Sequence, residues 1–351
     1  MLRMRIERGP LREEENRAVL TEYNRLTGGH IPLREFVHWV SNSPEGPAWH
    51  ALLETDAGRI VGHTSVFPVR TANKESRLVP AKSEYSFLHE EFRKEKITGY
   101  ETAGRPAFII LLDRLFQHCQ EQGWGPIFAS TNEKNQVFTR KVGLRPIEFP
   151  LTECLLVLRP STAAKSTPNL TKWQRAAIFT AGLAHGVVWP LAASALSAVN
   201  GIREVSMWRE NAAPDQRLFA FFEDLESLRW RYLEGQYVRF AMERQPDDYL
   251  IAKRGASGSY LRVCQWKLSS AGSFLPLFAA LVREAKKDRA MGVRWAVYDG
   301  DAVAHRLVKQ MKAVGFLCAR RKRIVMIHKK HEQYLDPSLW RINDALFSFD
   351  P

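Results

Sequence analysis

The sequence predicts an α+β protein made of two successive halves of one kind, each a mixed, mostly antiparallel sheet flanked by helices. Three observations carry that prediction. An apolar helix, a glycine stop, a short strand, a polar turn and a second helix occur twice in the same order. Strand-like runs precede and follow each copy, and a Pro/Ser/Thr/Ala-rich stretch separates the copies. The 351 residues are too many for one comfortable core and suit two domains of ordinary size.

In the first half, the runs Arg59–Val69 and Lys82–Leu88 read as strands. Phe108, Leu111, Leu112, Leu115, Phe116 and Cys119 then fall on one face of a helix expected over 107–122, which Gly123 ends. A strand over 126–130, the polar turn Thr131-Asn132-Glu133 and a helix over 134–142 follow, closing at Gly143-Leu144. The run from Pro150 to Leu158 reads as the next strand.

The stretch RPSTAAKSTPNLT, from Arg159 to Thr171, has no apolar period and reads as a linker. Beyond it, residues 176–199 carry no Asp, Glu, Lys or Arg, which is long enough to cross a hydrocarbon core. His185, Pro190 and folded-looking sequence on both sides oppose a span. The expectation is a buried or interfacial helical hairpin, with peripheral membrane docking and a single span as alternatives.

The second half repeats the first. Strands are expected at Tyr237–Glu243, Tyr249–Lys253 and Tyr260–Leu268. Phe274, Leu277, Phe278, Leu281, Val282 and Ala285 form a helical stripe stopped by Gly292. Arg294–Tyr298 is a strand, Asp299-Gly300-Asp301 a turn, and a helix over 302–314 closes at Gly315-Phe316 before a strand over 323–328. Gly104 precedes Gly123 much as Gly272 precedes Gly292, and Val37-His38-Trp39 is echoed by Leu228-Arg229-Trp230. The organisation expected is residues 1–160, a linker and apolar segment over 161–203, and residues 204–351.

Apolar residues at 45% and charged residues at 25% exclude a disordered or fibrous chain. Lys and Arg total 51 against 38 Asp and Glu, a charge of +13 that biases the surface toward nucleotides, CoA-like phosphates, tRNA or acidic lipid. The four cysteines are scattered, with no CxxC and no Cys/His cluster at metal spacing, so reduced thiols, a cytoplasmic location and no metal are expected. The charged N-terminus lacks the apolar run of a signal peptide. The runs Lys286-Lys287, Arg320-Arg321-Lys322-Arg323 and Lys329-Lys330 read as a solvated basic face on outer strands. GxGxxG, Walker, HExxH and GxSxG patterns are absent.

Several short segments resemble the GNAT acyltransferase superfamily, in particular its tandem members, which are related in architecture to the Fem-type aminoacyltransferases. They are Arg59-Ile60-Val61-Gly62, His89-Glu90-Glu91-Phe92-Arg93, Asn132 followed by Lys141-Val142-Gly143-Leu144, Trp230-Arg231-Tyr232, and Asp336-Pro337-Ser338-Leu339-Trp340 with Asn343-Asp344. The resemblance implies transfer of an acyl group, expected to be acetyl, from acyl-CoA to a small-molecule amine on a sugar, sugar nucleotide or amino-acid derivative. It implies that Arg93, Gly104, Arg105 and Asn132 hold the co-substrate, with backbone amides of a helix N-terminus on its pyrophosphate. Glu84 and Glu90 are the candidate bases, with Tyr85 and His89 as secondary candidates. Two departures stand out: Glu101 replaces a basic or amide residue, and Pro106 has no N–H to donate. Where the family often keeps a tyrosine, this chain has Thr139 in one half and Met311 in the other. The rival readings are aminoacyl transfer from aminoacyl-tRNA and a catalytically degenerate pair that binds or scaffolds at a membrane surface.

Overall fold

The computed structural model describes residues 1–71, 79–100, 105–131, 136–166, 171–173, 176, 179–180, 182, 202–204, 219, 224–233, 235–243, 245–255, 259–300 and 303–340. In chain order the first half gives β1 (Leu2–Arg8), α1 (Glu13–Thr27), α2 (Leu33–Ser41), β2 (Trp49–Thr55), β3 (Ile60–Pro68), β4 (Val79–Leu88), α3 (Ala107–Glu121), β5 (Trp124–Thr131), α4 (Gln136–Lys141) and β6 (Leu144–Val157). Then come α5 (Pro160–Ser166), β7 (Ile202–Glu204), α6 (Leu225–Arg231), β8 (Tyr237–Met242), β9 (Tyr249–Lys253), β10 (Tyr260–Lys267), α7 (Phe274–Lys287), β11 (Gly292–Tyr298), α8 (Ala304–Ala313) and β12 (Leu317–His328).

The twelve strands among the described residues join one sheet in the order β1-β2-β3-β4-β5-β12-β6-β11-β10-β9-β8-β7. The pairs β4·β5 and β10·β11 are parallel and the rest antiparallel, so the expected α+β class with a mixed sheet holds. The two halves do not close their sheets separately. β12 of the second half lies between β5 and β6 of the first, and β6 lies between β12 and β11. These exchanged strands pair from Leu317↔Leu155 to His328↔Leu144.

The exchange starts at equivalent glycines. Gly143 (φ +80°) follows α4 and Gly315 (φ +93°) follows α8, left-handed positions that glycine occupies without strain. Each turns its chain straight into a long strand, so β6 and β12 begin earlier than the apolar runs at 150–158 and 323–328 suggest. One expectation is corrected here. Arg320, Arg321 and Lys322 are exposed, but they lie on β12 in the middle of the sheet, because strand exchange carries this basic run inward. The strand β1, absent from the expected elements, alternates apolar Leu2, Met4 and Ile6 with charged residues, and its Arg5 pairs with Glu7 on β1, Glu15 on α1 and Glu54 on β2.

Three main cores follow from the sheet's two faces. One contains Leu111, Leu115 and Phe116 of α3; another contains Leu277, Phe278 and Leu281 of α7 with Leu307 and Met311 of α8. The third, on the opposite face, is shared by both halves and joins Val19, Leu20, Phe36 and Trp39 of α1 and α2 to Trp230, Tyr232, Tyr237 and Tyr249. Polar contacts cross the same junction: Lys253 Nζ lies 3.1 Å from Glu35, Arg70 lies 2.7 Å from Asp224, and Trp230 Nε1–H donates to the Trp39 carbonyl at 3.2 Å.

Among the described residues no helix is long and apolar enough to cross a membrane. Trp173 and Phe179 are exposed, Gly182 packs on Pro160, and most of 176–199 lies outside the described residues.

Candidate active site

In the first half β4 and β5 pair at Val79↔Trp124, Ala81↔Ile127 and Lys82↔Phe128 and then part, although β4 continues to Leu88 and β5 to Thr131. From Ser83 onward the β5-facing edge of β4 forms no ladder with β5, so main-chain donors and acceptors face a fork. A bulge sits at this fork. β4 pairs with β3 at Ser65↔Glu84 and again at His63↔Phe87, which leaves Tyr85 and Ser86 opposite Thr64. Tyr85 takes φ +55°, the left-handed region that a bulky residue rarely occupies. The extra residue keeps Lys82, Glu84 and Phe87 on one face, that of the shared core.

Glu84 is therefore not a solvated strand residue. Its side chain is 10% exposed and its Oε2 lies 2.5 Å from Nζ of the fully buried Lys82. The Tyr85 ring packs edge-on against Phe36 at 4.9 Å and Tyr23 at 5.3 Å. Its hydroxyl is buried with no hydrogen-bond partner among the described residues. Burial pushes this phenol well above its usual range; Glu84 and Glu35 push the same way, and Arg231 of the second half opposes them. The hydroxyl therefore keeps its proton at neutral pH.

The other expected site residues lie at or beyond the end of β4. His89 Nε2 lies 2.9 Å from Glu22 and 3.1 Å from Arg25, within a surface charge cluster that includes Arg59 and Glu91. Glu90 is exposed and pairs with Arg93 at 3.1 Å, and Arg105 pairs with Asp113 at 3.2 Å. Gly104 and Asn132 lie outside the described residues. The structure thus brings Glu84 and Tyr85 together at the fork and places Glu90 with Arg93 in a separate exposed pair.

The second half forks too, since β10 and β11 pair from Tyr260↔Gly292 to Val263↔Trp295 and then separate. This fork is filled. Trp295 packs against Trp266 at 6.1 Å and Phe274 at 6.0 Å, and Cys264, Gln265, Ala296, Val297 and Tyr298 are all buried. In the first fork Ser86 and Ser130 are half-buried and Glu84 keeps 10% exposure. Gln265 is held between Tyr232 and Tyr249, and β10 carries no carboxylate. The loop before α7 is also satisfied internally: Asp248, 1% exposed, accepts from Ser269 N–H at 2.6 Å, Ser269 Oγ–H at 2.9 Å and Ser273 Oγ–H. An internal carboxylate thus takes donors that a bound phosphate would need.

A groove of about 470 Å³ runs between α2 and α6, lined by His38, Asn42, Asp224, Leu225, Glu226, Arg229 and Trp230. Its Trp230 wall packs on Phe67, the residue paired with Lys82 across β3 and β4. The echoed Trp39 and Trp230 segments thus meet where the halves join. Lys82 was legible as a same-face neighbour two residues from Glu84. Asp248 and the buried His50–His63 pair had no sequence signal, because only strand register brings their partners together. No group of His, Cys, Asp and Glu among the described residues is arranged to hold a metal.

No family model and no curated protein matches the sequence. Solved structures do match the fold. A probable N-acyltransferase from Enterococcus faecalis V583 aligns with 93% of this chain and 73% of its own, at 12% identity and TM-score 0.56. A GCN5-related N-acetyltransferase from Kribbella flavida covers 93% of this chain and 72% of its own, at 12% identity and TM-score 0.51. A tandem GNAT protein of the clavulanic acid biosynthesis pathway covers 92% of this chain and 98% of its own, at 12% identity and TM-score 0.50. With its repeated element order, exchanged last strands and forked parallel pairs, this chain has the tandem GNAT fold.

Proposed function

We propose that the chain is an acyl-CoA-dependent N-acyltransferase with one active site, at the β4/β5 fork of the first half. Acetyl-CoA is the expected donor, and the acceptor is an amine on a sugar, sugar nucleotide or amino-acid derivative that enters between the halves. The contrast between the two forks carries this reading. One is lined by the small half-buried Ser86 and Ser130 and holds Glu84, whereas the other is packed with Trp266, Trp295 and Phe274 and lacks a carboxylate on its strand.

The residues present fit such a donor. The edge of β4 beyond Lys82 offers main-chain groups to the amides of an extended pantetheine arm. Arg93 and Arg105 sit in exposed ion pairs, each worth under about 1 kcal/mol, which a phosphate can displace. The bound thioester supplies an activated carbonyl. Glu84 accepts the proton that the amine loses on attack, while Lys82 fixes the carboxylate. The Tyr85 hydroxyl, held protonated by burial, is a donor for the departing sulfur. In the inter-half groove Asp224 and Glu226 both pair with Arg70 and Arg229 lines the same wall, so an incoming ammonium group would have to compete with these guanidinium groups for the carboxylates.

Calorimetric titration with acetyl-CoA should give micromolar binding of one molecule per chain. Thiol release in the presence of a panel of amino sugars and amino acids should saturate. Glu84→Gln should retain that affinity and lose about 10²–10⁴-fold in kcat. Salt-sensitive binding of tRNA without CoA binding would instead support aminoacyl transfer, and silence to both would support a binding module.

A further inference from the structure

Two buried histidines are unused by this chemistry. His50 on β2 and His63 on β3 are both fully buried, with rings 5.4 Å apart and tilted by 31°. His63 Nδ1 lies 2.9 Å from the main-chain oxygen of Tyr85, which can only accept, so Nδ1 carries a proton. Desolvation holds the His63 ring to about 4, so it is neutral at pH 7 and its Nε2 is bare. That nitrogen lies 3.1 Å from His50 Nδ1, which must then be the donor. His50 Nε2 makes no hydrogen bond among the described residues, and the Gly9 main chain beside the ring partly offsets the burial that keeps it neutral. The direction of both bonds is thereby fixed: His50 Nδ1–H to His63 Nε2, and His63 Nδ1–H to the Tyr85 carbonyl.

That carbonyl belongs to the bulge. Tyr85 has φ +55° and directly follows Glu84, and the residue count across Thr64 decides that Phe87 returns to the face of Glu84. A bulge leaves a main-chain group without a ladder partner, and a strained residue persists only where its surroundings over-determine it. His63 supplies the missing donor, and the rings of Phe36 and Phe87 lie 6.5 and 6.0 Å from its own.

We propose that His50 and His63 are positioning residues that lock the β4 bulge and so fix Tyr85, packed on Phe36 and Tyr23, beside Glu84 at the edge of the fork. The inference rests on the acyltransferase reading for its consequence in kcat, but not for the histidine geometry itself. Free imidazole prefers the Nε2–H tautomer, so two buried Nδ1–H rings are a specific signature.

The test combines spectroscopy with variants of the full chain. Two-bond 15N–1H correlation spectra at pH 7 should show a protonated Nδ1 and a bare Nε2 at both His50 and His63; an Nε2–H tautomer at His63 overturns the proposal. His63→Leu should lower kcat about 100-fold, leave acetyl-CoA affinity within a few-fold, and speed amide exchange at Tyr85 and Ser86. His63→Asn, whose amide nitrogen can occupy the Nδ1 position, should restore most of the rate. Wild-type kcat in His63→Leu, or equal loss in the Asn and Leu variants, sinks the positioning role. If His63→Leu does not fold, the tautomers and the Asn variant still decide. Full activity of Glu84→Gln would defeat the base assignment alone, because tautomer and exchange read the bulge without it.

Discussion

Single buried groups set the chemistry and its pH limits. His63 is held to about 4 in the folded chain against 6.5 when free, and burial lowers His50 likewise. Above pH 6.5 both states are neutral and the shift costs nothing. Below it the unfolded chain takes up the protons first, so stability falls as pH drops from 6.5 toward 4 and levels off beneath. A shift of this size is worth roughly 3 kcal/mol. Urea midpoints measured at successive pH values should fall across that window, and His63→Asn should flatten the fall. Asp248 gives a second residue-scale prediction. Its removal strands the Ser269 amide and two hydroxyls, so Asp248→Ala should destabilise the chain by about 2–4 kcal/mol in denaturant melts. Acetyl-CoA affinity should be unchanged, because the loop that Asp248 satisfies belongs to the filled fork.

The informative elements are the exchanged strands. Cys154 on β6 and Cys318 on β12 are directly paired, with sulfurs 2.8 Å apart and all four cysteines free. Oxidation with diamide, which is reduced as the two thiols give up two electrons and two protons, should join them. Non-reducing peptide mapping should show the 154–318 link, and Cys318→Ser should abolish it; any other pairing would contradict the register. Sequence reading placed β3 to β5, β8 to β11, α3 and α7 well, because their apolar runs are long and periodic, but it named neither β1 nor the buried β2. It missed the early part of β12, where Arg320, Arg321 and Lys322 look like a surface run. A central strand that stays solvated between two separate cores carries no apolar alternation to detect.

Across the whole molecule, exchange ties the halves into one folding unit. Residues 1–160 alone would leave β5 and β6 without the β12 strand that separates them, exposing two long edges. Expressed singly, residues 1–160 and 204–351 should be insoluble or oligomeric. Co-expressed, they should co-purify as a pair; two soluble, independently folded monomers would refute the interlocked sheet. The shared core adds to this coupling, since Trp39 and Trp230 come from opposite halves and meet within it.

The sequence by itself determined the duplicated module, its helical faces, its glycine exits and the α+β class, because those depend on local periodicity and on backbone conformations that few residues adopt. It also singled out Glu84 and Tyr85. Tertiary structure alone decided that the second fork is packed shut, that Asp248 satisfies its loop, and that a buried histidine pair supports the bulge beneath Glu84. Those outcomes depend on strand register, a relation between segments distant in the chain that composition and spacing do not encode.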